Sequence, residues 1–238
     1  MKAELKKDLQ EAFDAPKPLA KESFMQTIPG AQISYREFIL YQVSYIRKWG
    51  WVISILIFAA GIASALVVDK DAIWVLSALM PFVALFLVTE NARSVAYGME
   101  ELEMASRFSL KSVVLARLEI LGVFHTVLLA LFLPVNALYD DYSLLQTGIY
   151  LLVPYLMSTS FGLWIVRRMR GKEAFYACAG AATLVSVLQT ALKSGAAFLF
   201  EQRAFIWWIL TFIILLLWTI AECRQMVRQK EDFLWNLL

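Results

Sequence analysis

Residues that hold metals or carry redox chemistry are scarce in this sequence. Its 238 residues include two cysteines, Cys178 and Cys223, and one histidine, His125. No cysteine spacing suits a zinc site, and one histidine cannot build a His cluster. Both cysteines fall within or at the end of apolar segments, so a structural disulfide is not expected. Charge is also thin, at 18% of residues against about 25% in a soluble domain. A net charge of +2 gives no electrostatic footprint for nucleic acid. No G-x-x-x-x-G-K-[ST] stretch occurs, which excludes a P-loop ATPase within the chain itself. Residues 1–30 are charged, broken by Pro16, Pro18 and Pro29, and carry no apolar signal-peptide core. A solvated, poorly ordered cytoplasmic segment is expected over 1–33.

What the chain has in excess is apolar surface. Hydrophobic residues make up 60%, where about 45–50% is usual for a soluble domain. A bilayer core about 30 Å thick takes roughly 20 apolar residues as helix. Lipid offers no partner to a backbone N–H or C=O, so each span must be a helix. Six segments qualify: 50–68, 72–89, 120–138, 144–166, 174–192 and 204–221. The predicted fold is an all-α membrane protein with six transmembrane helices. The fifth span is rich in small residues, Ala177, Cys178, Ala179, Gly180, Ala181 and Ala182, which let helices approach closely. It reads as packed against protein rather than facing lipid.

Lysine and arginine set the orientation. Eight precede residue 50, four (Arg93, Arg107, Lys111, Arg117) follow span two, and four (Arg167, Arg168, Arg170, Lys172) follow span four. Three (Arg224, Arg228, Lys230) lie in the tail 223–238. The other side holds only Lys70, Lys193 and Arg203. A split of 19 to 3 places both termini and the two basic loops in the cytoplasm, with the chain in the cell membrane. The outer loops are short, and 193–203 carries Ala196, Ala197, Phe198, Leu199 and Phe200. That loop either dips back into the membrane or extends span five.

Residues 34–49 repeat apolar positions at i, i+3, i+4 and i+7: Tyr35, Phe38, Ile39, Gln42, Ile46 and Trp49 share one face. The pattern predicts an amphipathic helix in the cytoplasmic interface; the alternative is a plain N-terminal extension of span one.

Chemistry has no constellation to rest on. His125, in span three, has no serine nucleophile on a suitable Gly-flanked turn. It reads as a packed or pathway-lining group, together with Asn136, Gln189 and Thr190. Glu100, Glu101 and Glu103 lack a third metal ligand at helical spacing, so no metal site, cofactor or enzyme activity is expected in the chain. Attention therefore falls on the cytoplasmic segment between spans two and three. It reads as two helical stretches around 106–109, with Ser109 suited to cap the second and with Leu102 and Met104 as apolar knobs among charges.

This segment resembles the first intracellular loop of type-2 ABC exporter permeases. Gly98, Glu101, Leu102, Met104, Ser106, Phe108, Ser109, Ala116 and Arg117 fall in that loop's register. Met99 and Arg107 stand where a threonine and a proline are usual. The resemblance covers some 20–30 residues of the 238. It implies a coupling helix that seats on a separate ABC ATPase subunit, with Gly98, Glu100, Glu101, Leu102, Met104 and Arg107 at the contact. It implies a second permease chain, ATP and Mg on the partner ATPase, and export by alternating access, with spans two and five lining the path. A rival reading keeps the topology without transport, as a six-span scaffold, immunity or sensor protein. An ion-coupled carrier would need buried ionisable groups near mid-bilayer, where the chain offers only His125 and Asn136 in span three, with Glu119 at its inner end.

Overall fold

A computed structural model describes residues 34–67, 72–97, 110–137, 143–169, 171–200 and 202–235. The chain divides into Met1–Glu37 and Phe38–Leu238; nearly all described residues belong to the second unit. Seven α-helices are described: α1 (Tyr35–Tyr45), α2 (Lys48–Val67), α3 (Ala72–Ala96), α4 (Leu110–Ala137), α5 (Leu144–Arg168), α6 (Glu173–Gly195) and α7 (Phe205–Trp235). Two 3-10 turns, Ala197–Phe200 and Gln202–Ala204, join α6 to α7. No strand occurs among the described residues.

Five helices, α3 to α7, are long and apolar enough to cross a bilayer, and a sixth is reached if the bent pair α1–α2 counts as one span. The chain is a multi-pass membrane protein. At about 1.5 Å per residue, the 20 residues of α2 match the bilayer core, whereas the 28 of α4 and 31 of α7 exceed it. The long helices are each a predicted span joined to its polar neighbour. The stretch expected to follow Ser109 and span three form one helix from Leu110. Span six continues through most of the predicted tail.

Local sequence explains the helix ends. Ser143 and Gln146 form a full capping box at the start of α5: Gln146 N–H donates to Ser143 Oγ, and Ser143 N–H donates to Gln146 Oε1 at 3.1 Å. At α1, Ser34 N–H donates to Glu37 Oε2 at 3.2 Å, the second half of the same device. Between α5 and α6 the chain turns at Gly171, whose φ of 89° lies in the left-handed region open to glycine.

Helix α1 is no extension of α2: the segments Arg36–Tyr45 and Lys48–Ser64 are bent by 84° at a break of two residues. Phe38, Gln42 and Ile46 are buried, as the i, i+4, i+8 pattern requires, and Phe38 packs on Val113 and Ala116 of α4. Trp49 is 76% exposed and leaves that face. The break at Ile46–Arg47 resets the helical phase, so periodicity counted through it fails. Leu40, Tyr41 and Tyr45 lie on the exposed side of α1.

The bundle centres on α3 and α5, which pack against each other and each touch most of the remaining spans. Gly162 on α5 meets Val88 on α3 so closely that an added Cβ would lie 2.8 Å from a Val88 methyl. Helix α6 keeps only part of its expected packing. Ala174, Cys178, Ala182, Val185 and Gln189 form a buried stripe, while Gly180, Leu184 and Val187 face outward. The small residues thus serve one face against α3 and α5, and only that face fits the packed reading.

Of the two expectations for the apolar stretch 193–203, the extension of span five is seen. Helix α6 runs on to Gly195, and the following turn seats Phe200 inside the bundle. Phe200 meets Trp74 edge-on at 4.5 Å and Tyr150 at 5.7 Å. Tyr150 Oη donates to Phe200 O at 3.3 Å, and Trp208 Nε1 donates to Leu199 O at 2.8 Å. Lys193 sits 4.0 Å from the Trp74 ring centroid, a cation–π contact at the same end of the bundle.

Candidate functional site

Two polar networks run through the apolar interior. The first joins α2, α4 and α5. His125 is buried, with Nε2 at 3.1 Å from Ser54 Oγ and Nδ1 at 3.1 Å from Tyr155 Oη. A neutral imidazole donates from one nitrogen and accepts at the other, so two hydroxyls satisfy it completely. Ser54 is fully enclosed. The arrangement ties three helices together.

The second network starts from a proline. Pro154 within α5 has no N–H, so the carbonyl four residues earlier, on Tyr150, loses its helical donor. Ser77 Oγ on α3 donates to that carbonyl at 3.0 Å, and Gln189 Nε2 on α6 donates to Ser77 Oγ at 2.9 Å. Two further serine hydroxyls reach the backbone of α3 near its own Pro81. Ser158 donates to Pro81 O at 3.1 Å and Ser186 to Ala78 O at 2.6 Å. Polar side chains from α5 and α6 therefore engage carbonyls of α3 close to Pro81.

Nearer the other end, α5 and α7 are joined by Ser160 and Thr219, 2.7 Å apart. Arg167 then grips Glu222 with Nε and Nη2 at 2.9 and 3.2 Å, and Trp218 Nε1 adds a donor at 3.3 Å. A bidentate pair of this kind, with Glu222 buried, is strong and geometrically specific.

Two cavities accompany these networks. One, of about 240 Å³, lies among α5, α6, the 3-10 turn and α7, lined by Pro154, Met157, Leu188, Gln189, Leu199 and Trp207. The other, of about 320 Å³, lies at the opposite end of α3, among Arg47, Glu90, Arg93, Lys172, Phe175 and Tyr176.

The predicted residues distribute unevenly over this geometry. His125 belongs to the first network and Gln189 to the second, so they do not share a site. Gln189 lines the apolar cavity, while Thr190 is exposed and donates to Ser186 O at 3.0 Å. Asn136 lies on α4, with its side chain outside the described residues. Gly98, Glu100, Glu101, Leu102, Met104 and Arg107 also lie outside them. Among the described residues no group of three or more His, Cys, Asp or Glu is placed to hold a metal.

Sequence reasoning passed over Ser54, Ser77, Tyr155 and the Arg167–Glu222 pair. One signal was available: Pro154 names Tyr150 O as an orphan acceptor, and an intramembrane serine is the cheapest donor to it. Comparison with protein-family models, with curated proteins and with solved structures found no match.

Proposed function

We propose that the chain is the permease subunit of an ATP-driven ABC transporter, an exporter that works by alternating access with a separate ATPase subunit. The observation that carries this reading is the loop between α3 and α4. There Gly98, Glu101, Leu102, Met104, Ser106 and Arg117 fall in the register of the coupling-helix loop of type-2 exporter permeases. Three structural features support it. A short helix precedes the first long one at an 84° bend, as an interfacial connecting helix would. Helix α4 begins ten residues before the predicted span, which gives the loop a rigid lever into the membrane. The α6–α7 connection folds back into the bundle through Phe200.

In this reading both termini are cytoplasmic, by the 19 to 3 distribution of basic residues, and the membrane is the cell membrane. ATP and Mg sit on the partner. ATP binding draws two ATPase subunits together, and each carries the coupling helix of one permease chain. The spans then shift between two packed arrangements, driven by contacts that differ in the two states.

The test is direct. The tagged chain is purified from its own cells, and a co-purifying subunit with a P-loop is assayed for ATPase activity. Glu101→Lys with Met104→Asp is expected to abolish both association and stimulation while the permease itself stays folded. An intact complex with unchanged stimulation would remove the coupling role and leave the non-transporting scaffold.

A further inference from the structure

We infer that the 320 Å³ cavity at the charged end of the bundle is a binding site for the phosphate-bearing headgroup of an anionic membrane lipid. This inference goes beyond the permease reading and does not depend on it. Three cations at the ends of three different helices converge there. Arg47 sits in the break just before α2, Arg93 closes the apolar span of α3, and Lys172 immediately precedes α6. Each stands at the boundary between an apolar span and its polar flank, which is the depth of lipid phosphates in a bilayer.

The charges are only partly spent. Glu90 Oε1 accepts from Arg93 Nη1 at 2.8 Å. Among the described residues no carboxylate pairs with Arg47 or Lys172, so the cavity carries an excess of two positive charges over its own acid. Apart from Thr89 the rest of the wall is aromatic: Phe86, Tyr97, Phe175 and Tyr176, with Tyr97 and Tyr176 strongly exposed. Tyrosine at a span boundary offers an apolar ring to lipid tails and a hydroxyl to the headgroup. A soluble phosphate would use the cations and have no use for these rings, so the site is assigned to a lipid.

The chemistry sets the expected specificity. An anionic headgroup such as phosphatidylglycerol gains from both unspent cations, whereas zwitterionic phosphatidylcholine brings its own positive group and gains little. Near an anionic surface, each lysine or arginine is worth enough that losing two weakens binding by about thirtyfold.

The experiment uses the full chain in nanodiscs of phosphatidylcholine doped with phosphatidylglycerol, extracted gently, with retained lipid counted by native mass spectrometry. Retention of one phosphatidylglycerol in preference to phosphatidylcholine is expected. Arg47→Gln with Lys172→Gln should lose most of it, Arg47→Lys with Lys172→Arg should restore it, and Arg228→Gln on α7 should change nothing. For the unmutated chain, high salt should strip the retained phosphatidylglycerol, a readout independent of whether the glutamine variant folds. Equal retention of both lipids, or retention indifferent to salt and to the double substitution, would overturn the site. Displacement of the lipid by free glycerol phosphate at equal concentration would also overturn the lipid assignment, in favour of a soluble phosphate.

Discussion

The candidate spans Leu144–Arg168 of α5 and Gln202–Met226 at α7 are both 25 residues long, yet 67% of the apolar stretch of the first is buried inside the chain and 11% of that of the second. The more buried of the two is the less apolar. In water the opposite would hold. Lipid tails are as apolar as leucine, so burial against protein gains little from hydrophobicity. It has to be won by close approach and by hydrogen bonds. Helix α5 accordingly carries Gly162, Ser158, Ser160, Pro154 and Arg167, each used against a neighbour. Helix α7 presents Ile206, Leu210, Ile213, Ile214 and Leu217 outward. It touches the bundle through Trp208, Leu215, Thr219 and Glu222. The centre is specified by polar groups and the periphery by bulk.

That contrast can be broken by substitution, and the largest effect is expected at the ion pair. Arg167→Ala leaves Glu222 buried without its cation, and a loss of about 3 kcal/mol is expected in a reversible unfolding titration in mixed micelles. Gly162→Val drives a side chain into Val88, and about 2 kcal/mol should be lost, with partial recovery when Val88→Ala is added. Ser77→Ala orphans the Tyr150 carbonyl that Pro154 has already freed, and about 1 kcal/mol is expected. The same serine is cheaper to lose if Pro154→Ala restores the helical donor, so the double-mutant cycle should show coupling. At the small end, Ile214→Ala and Leu217→Ala on α7 should each move stability by less than about 0.5 kcal/mol. A cost at Ile214 comparable to that at Ser77 would mean that α7 packs against something other than lipid.

Much of this fold is legible in the sequence because bilayer physics is simple. Helix existence follows from the length of apolar runs, and Ala72, Leu144 and Glu173 begin helices within a residue of the predicted spans. Helix ends are less legible where a polar helix fuses to a span without a break, as at Leu110 and beyond residue 221. The periodicity of 34–49 names Phe38, Gln42 and Ile46 correctly and misplaces Trp49, because no residue type announces the break before Lys48. The polar networks are hardly legible at all. Ser54, His125 and Tyr155 lie 71 and 30 residues apart along the chain, and only the packing of α2, α4 and α5 makes them neighbours. His125 was marked by being ionisable within a span, while its two hydroxyl partners carried no such mark.

The functional reading rests on one physical claim: that residues 98–107 face the cytoplasm between the second and third of six spans. Cysteine labelling in intact cells measures it directly, with Cys178 and Cys223 replaced by alanine and single cysteines placed at Ser106, Asp141, Ser194 and Leu238. The account predicts that a membrane-impermeant maleimide labels Asp141→Cys and Ser194→Cys in intact cells, and labels Ser106→Cys and Leu238→Cys only after permeabilisation. Labelling of Ser106→Cys from outside would contradict it, because no cytoplasmic ATPase would then reach the loop.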